Sequence, residues 1–219
     1  MAFHKQKQFP SVWISWLAKL MTAEIQCPWS VWFRTHYKYD RLNRDFDSAK
    51  WNASHRALLE NRLLRLRVEG WAVFVEGENW FEIVGRQYAV KIAGKPDILA
   101  VRDQQVWVED CKTGRKKNSD LYQALLYMLL LPLSHSQCRG MKLQGRLVYP
   151  DGTIDISSDQ VDEEFKAHFR EAIALLSSTD PTQKVPSFQG CRFCDISRLY
   201  CPERIDSKPD SDQSDHELF

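Results

Sequence analysis

Two carboxylates and one amine at short spacing are the groups of this chain best able to do chemistry. Asp97 opens the apolar run Ile98-Leu99-Ala100-Val101, and the other two lie in Val106-Trp107-Val108-Glu109-Asp110-Cys111-Lys112. Both runs have strand length, and the polar gap between them fits a turn. Side chains alternate faces along a strand, so Val106, Val108, Asp110 and Lys112 share one side. Trp107, Glu109 and Cys111 share the other, which ranks Glu109 behind Asp110 as a partner for Lys112. Two strand residues span about 6.6 Å, and a neighbouring strand can add Asp97 to the pair. Such a trio suits a hard divalent cation and a group that orients an attacking water. The alternative is an ordinary Asp-x-Lys salt bridge on a solvated strand. Against it stand the position at the end of an apolar strand and the Thr113-Gly114 and basic Arg115-Lys116-Lys117 that follow. A helical pattern comes next, with Gln123 and Tyr127 at i,i+4 on one face.

The elements that must position these groups are legible as patterns. Apolar residues at 12, 13, 16, 17 and 20 predict a helix over 11–24, with Ser11 as N-cap and Cys27-Pro28 as its stop. An aromatic and basic segment over 30–47 follows, from Trp32 and Phe33 to Arg41 and Arg44. It reads either as a stacking surface for single-stranded nucleic acid or as a small aromatic core. A second helix is expected over 48–68, with Leu58, Leu59, Leu63, Leu64 and Leu66 inward and His55 near its start. Strands are expected over 71–75, 80–84, 87–92, 97–101 and 106–112, close enough to form antiparallel hairpins. A helix over 119–131 carries Gln123. A hairpin over 143–149 and 153–156 turns at Pro150-Asp151-Gly152, and a last helix over 159–176 has Asp159 near its start.

A chain of 219 residues can build one domain with a proper core. Net charge is +1, which carries no global signature of a nucleic-acid binder. Residues 203–219 hold six acids and two bases, so an acidic tail follows a basic body; 207–219 is expected to be disordered. Residues 1–10 lack the apolar segment of a secretory leader. The longest apolar run, 124–133, is too short for a bilayer core of ~30 Å. Both points lead to a cytoplasmic protein that uses no membrane, where disulfides are disfavoured. The six cysteines then need another role. Cys191-Arg-Phe-Cys194 is a C-x-x-C pair in a loop-like stretch, Cys201 follows, and Cys27 is the best fourth thiolate. Four thiolates hold zinc or an iron–sulfur cluster.

Gly-x-Pro-Asp (94–97), Asp-x-Lys-Thr-Gly (110–114) and Gln-x-x-x-Tyr (123–127) occur in order at short spacing. In this the chain resembles the PD-(D/E)xK nuclease superfamily, specifically its RecB-like, CRISPR-associated branch. The resemblance implies an α/β fold, a restriction-endonuclease-like mixed sheet flanked by helices. A helical N-terminal annex and a C-terminal iron–sulfur clasp would complete a single domain over 1–206. It implies a 4Fe-4S cluster on Cys27, Cys191, Cys194 and Cys201. His55, Asp97, Asp110 and the Cys111 carbonyl would bind Mg²⁺ or Mn²⁺, with His36 as the rival histidine. Asp97, Asp110, Lys112, Gln123 and Tyr127 would form the catalytic set. The activity implied is a metal-dependent exonuclease on single-stranded DNA, in CRISPR adaptation, recombination or phage biology. No G-x-x-x-x-G-K-[ST] is present, so a motor or a CRISPR integrase would be a separate partner. Two readings stay open beside it: a catalytically inactive nucleic-acid-binding or adaptor module of the same fold, and a zinc-bound structural protein.

Overall fold

A computed structural model of the chain describes residues 4–42, 48–75 and 77–208. Arg44 of the aromatic and basic segment and 209–219 of the expected disordered tail lie outside the described residues. In chain order, β1 (His4–Gln6) and β2 (Ser11–Trp13) lead into α1 (Ile14–Met21) and α2 (Pro28–His36). Then come β3 (Tyr37–Tyr39), the long α3 (Ser48–Val68), β4 (Ala72–Val75), β5 (Phe81–Val84) and β6 (Lys91–Gly94). The hairpin of β7 (Ile98–Arg102) and β8 (Gln105–Cys111) follows, then α4 (Asn118–Ser134). A second hairpin, β9 (Leu143–Tyr149) and β10 (Gly152–Ile156), precedes α5 (Glu163–Ser177) and the short α6 (Phe188–Arg192).

The main sheet runs β10-β9-β8-β7-β4. Its outer pairs are antiparallel, whereas β8 and β9 are parallel, with α4 as the crossover between them. A strand pair of that kind must be bridged across a face of the sheet, and the near-continuous apolar run of α4 makes the bridge a core element. Leu126 and Leu131 of α4 are completely buried, in one cluster with Leu99, Val106, Val108 and Leu147 of the sheet. The opposite face takes α3: Leu66 packs with Ile98, Ala100, Cys111 and Val148. The alternation expected along β8 therefore holds, because Val106 and Val108 face α4 while Trp107 and Cys111 face α3. The β7–β8 turn puts Asp103 at φ 54°, a left-handed conformation that aspartate tolerates better than most residues.

Tertiary pairing corrected several element expectations. Residues 11–13 are a strand, parallel to β6 through Ser11↔Lys91 and Trp13↔Ala93, so Ser11 is not a helix cap; α1 starts at Ile14. Val12 is completely buried, as either element would require, so periodicity over three residues could not decide. Cys27 does not end a helix but precedes Pro28, the first residue of α2, where proline loses no bond. Leu64 is 64% exposed rather than inward. The last helix starts after Asp162, whose carboxylate accepts the Phe165 N–H at 2.8 Å, and 158–160 is a separate 3₁₀ turn. The five expected strands divide between two sheets, since β5 and β6 join β2 in a three-stranded sheet. Among the described residues no helix is long and apolar enough to cross a membrane.

Candidate active site

The hairpin sets the geometry. Its register pairs Ile98 with Glu109, so Asp97 and Asp110 stand opposite each other at its open end. Asp97 Oδ2 accepts the Cys111 N–H at 2.7 Å and lies 3.2 Å from His55 Nε2. Lys112 Nζ is 2.5 Å from Asp110 Oδ2 and donates to Gln123 Oε1 at 3.0 Å. Gln123 Nε2 donates in turn to the Tyr127 hydroxyl at 3.1 Å. Thus α3 supplies His55, the hairpin supplies both carboxylates and the amine, and α4 supplies Gln123 and Tyr127. These three elements bring six of the residues expected at the site together, the sixth being Tyr127 at the end of the hydrogen-bonded chain.

Burial makes the electrostatics strong. Asp110 is 3% exposed, and burial together with Asp97 and Asp120 pushes its pKa up to about 6, against the pull of Lys112. Burial works against the Lys112 ammonium, yet Asp110, Asp120 and Asp97 together hold its pKa above the ordinary lysine value. Burial also raises the Tyr127 phenol well above its usual range, so it serves as a neutral hydrogen-bonding group.

Three residues at the site have no counterpart in the sequence expectations. Asp120 lies 3.8 Å from Lys112 Nζ, accepts the Tyr149 hydroxyl at 3.0 Å and accepts the Lys117 N–H at 3.2 Å. Its place three residues before Gln123, on the same helical face, was the available signal. Trp51 stacks on His55 with ring centroids 5.2 Å apart and planes 18° apart; its i,i+4 spacing to His55 was the signal. Arg62 grips Glu109 through two bonds of 2.6 and 2.7 Å, and Arg146 adds a third at 3.2 Å. Glu109 is completely buried by these partners on the α3 side, so it is spent on an ion-pair network. His36 is also accounted for elsewhere: it is buried, stacks on Trp32 and bonds the Leu176 carbonyl at 2.9 Å.

The cysteines separate into two groups. Cys111 and Cys138 are buried in the two cores, and burial pushes the Cys138 thiol up to about 12, far from thiolate chemistry. Cys27, Cys191, Cys194 and Cys201 all line one cavity of about 710 Å³. The Arg204 guanidinium shapes the loop by donating to the carbonyls of Cys191, Cys194 and Ile196, each at 2.7 Å. Arg34 of α2 bonds Asp195 at 2.9 Å and approaches Cys194 Sγ at 3.6 Å. The cavity therefore lies where the early helices meet the last loop. The aromatics of 30–47 that are described fill this junction instead of opening onto solvent: Trp32 and Phe33 are 3% and 6% exposed, and Phe33 stacks with Tyr37. Among the described residues, no three His, Cys, Asp or Glu side chains are already gathered as a metal-ion site.

No curated protein matches the chain. Among solved structures, the chain is similar to the crystal structure of SSO0001, at 16% identity and a TM-score of 0.47, over 92% of this chain and 90% of that one. The model of the PD-(D/E)XK nuclease superfamily matches residues 17–202, a span that holds both carboxylates, Lys112, Gln123 and all six cysteines. The chain belongs to the PD-(D/E)XK nuclease superfamily.

Proposed function

We propose that this protein is a metal-dependent deoxyribonuclease acting on single-stranded DNA, most suited to degradation from an end. The convergence of Asp97, Asp110, Lys112 and Gln123 at one end of the β7–β8 hairpin carries the reading. The donor set suits a hard divalent cation: Asp97, Asp110 and Asp120 are gathered around the Lys112 ammonium. Burial first, and Asp97 and Asp120 after it, raise the pKa of Asp110, and a cation there would offset that shift. Asp97 and Asp110 would hold Mg²⁺ or Mn²⁺, with His55 as a nitrogen ligand and the Cys111 carbonyl as a further oxygen. When bound, such an ion polarises the phosphate and favours ionisation of water. Lys112 orients the attacking water or a phosphate oxygen and offsets the negative charge that builds on the phosphate. Gln123 holds the Lys112 amine in line, and Tyr127 holds Gln123.

The four thiols suit a 4Fe-4S cluster by their chemistry, and all four line the same cavity. Its role would be structural, tying residues near 27 to those near 201 within one domain over 1–206. Single-strand preference and partnership with a CRISPR integrase or recombination proteins rest on the RecB-like resemblance.

The test is digestion of 5′- and 3′-labelled single and double strands by anaerobically purified protein with Mn²⁺ or Mg²⁺. Lys112→Ala and Asp97→Ala should each abolish cleavage while iron and sulfide content stays at the wild-type level. Normal digestion by the Asp97 variant would overturn the site, and one zinc with no iron would overturn the cluster.

A further inference from the structure

Leu66, Arg62, Leu58 and His55 lie on the sheet side of α3, and Trp51 continues that row at i−4 from His55. Leu66 is buried in the core, Arg62 grips Glu109 and His55 reaches Asp97. Each step along the row moves toward the end of β8 where the carboxylates lie. Trp51 is one turn further, about 6 Å beyond His55 along the helix axis. One face of its indole lies on the His55 imidazole, and the residue is still 46% exposed. Trp13 and Trp80 are exposed to a similar extent, 44% and 50%, but Trp51 is the one that stacks on a residue of the site.

We propose that Trp51 is a nucleobase subsite, on which a base of a single strand stacks while its neighbouring phosphate lies at the carboxylates. The inference rests on the nuclease reading and assigns it a binding element. Three points carry it. An exposed aromatic ring beside a phosphate-handling site is the element that single-strand binders use, because every base has a π-face. A duplex keeps its bases stacked on one another and offers no such face. Of the other candidates in 30–42, Trp32 and Phe33 are buried, and the half-buried Tyr37 and Tyr39 have their rings against Phe33.

The test uses the full chain with Ca²⁺, which occupies hard-oxygen sites and separates binding from turnover. Fluorescence anisotropy follows short labelled single strands in which one tetrahydrofuran abasic residue is walked along the sequence. For the wild-type protein, one abasic position weakens binding by about tenfold to a hundredfold. Trp51→Ala weakens binding of the intact strand by a similar factor and no longer distinguishes it from the abasic one. Trp51→Phe restores most of the affinity. With Mn²⁺, the larger share of the Trp51→Ala loss falls on KM. Equal binding of intact and abasic strands by the wild-type protein would overturn the subsite. So would a Trp51→Ala variant that loses kcat while keeping the abasic penalty, which would leave the ring only a support for His55. A chain that shows the abasic penalty but cuts nothing with Mn²⁺ keeps the subsite and sinks the nuclease reading; one that cuts with no Trp51 dependence does the reverse.

Discussion

Asp110 has to stay ionised if it is to accept a cation, yet its surroundings favour the proton. Burial comes first, then the nearby Asp97 and Asp120, and together they outweigh Lys112 and move the group up to about 6. Protons and metal therefore compete at this carboxylate. As pH falls through 6, the protonated fraction rises and more metal is needed. The half-saturating Mn²⁺ concentration for cleavage should rise severalfold between pH 7.5 and pH 5.5, and excess Mn²⁺ should restore much of the rate. A metal requirement that is flat across that interval would show that Asp110 is not a ligand. Gln123 acts through Lys112, and Gln123→Ala should lower kcat by about tenfold to a hundredfold, the usual effect of a misplaced catalytic group. Its measure is single-turnover cleavage, read beside thermal unfolding of the same variant.

Two contacts set how the helices sit on the sheet. Arg62 holds α3 against β8 through Glu109, which is 0% exposed. Removing the guanidinium leaves a buried carboxylate with Arg146 alone. Arg62→Ala should cost about 3 kcal/mol in urea unfolding, or roughly 6–12 °C in Tm. The double change Arg62→Leu with Glu109→Leu should cost less than the single one, because both charges go together. If the double variant is the less stable, the network is a net source of stability and this account fails. On the other face, a Cβ on Gly145 would stand 2.6 Å from Met128 Sδ and 3.2 Å from Ile156 Cβ. Gly145→Ala should push α4 off β9 at a cost of about 1–3 kcal/mol. It should also lower cleavage, since α4 carries Gln123 and Tyr127.

At the scale of the molecule, the early helices and the last loop are tied together by bonds of several kinds. The Trp32 indole N–H donates to the Ser178 carbonyl at 2.8 Å, and the Leu42 N–H donates to the Asp195 carbonyl at 2.9 Å. Arg34 and the Tyr39 hydroxyl both reach the Asp195 carboxylate. The four thiols sit within this junction. If these thiols hold the proposed 4Fe-4S cluster, Cys191→Ala should bleach the visible absorbance, remove iron and sulfide, and lower Tm. Its residual cleavage should follow its residual folded fraction. A colourless variant with wild-type stability would mean that the protein ties suffice and that the thiols have another use.

The chemistry was readable along the chain because strand alternation and helical i,i+4 spacing are local rules. They put Asp110 and Lys112 on one face, sent Glu109 and Cys111 to the other, and aligned Gln123 with Tyr127, as the hydrogen bonds then bear out. Thiol chemistry likewise separated the C-x-x-C pair from its surroundings. What sequence alone left open depended on partners far along the chain. Residues 11–13 became a strand because β6 lies beside them, and His55 was separated from His36 by which one meets Asp97. Asp120, Arg62 and Trp51 gained roles only when α3 and α4 closed over the two faces of one sheet. Local periodicity says which way a side chain points; only the packed sheet and helices decide what it meets there.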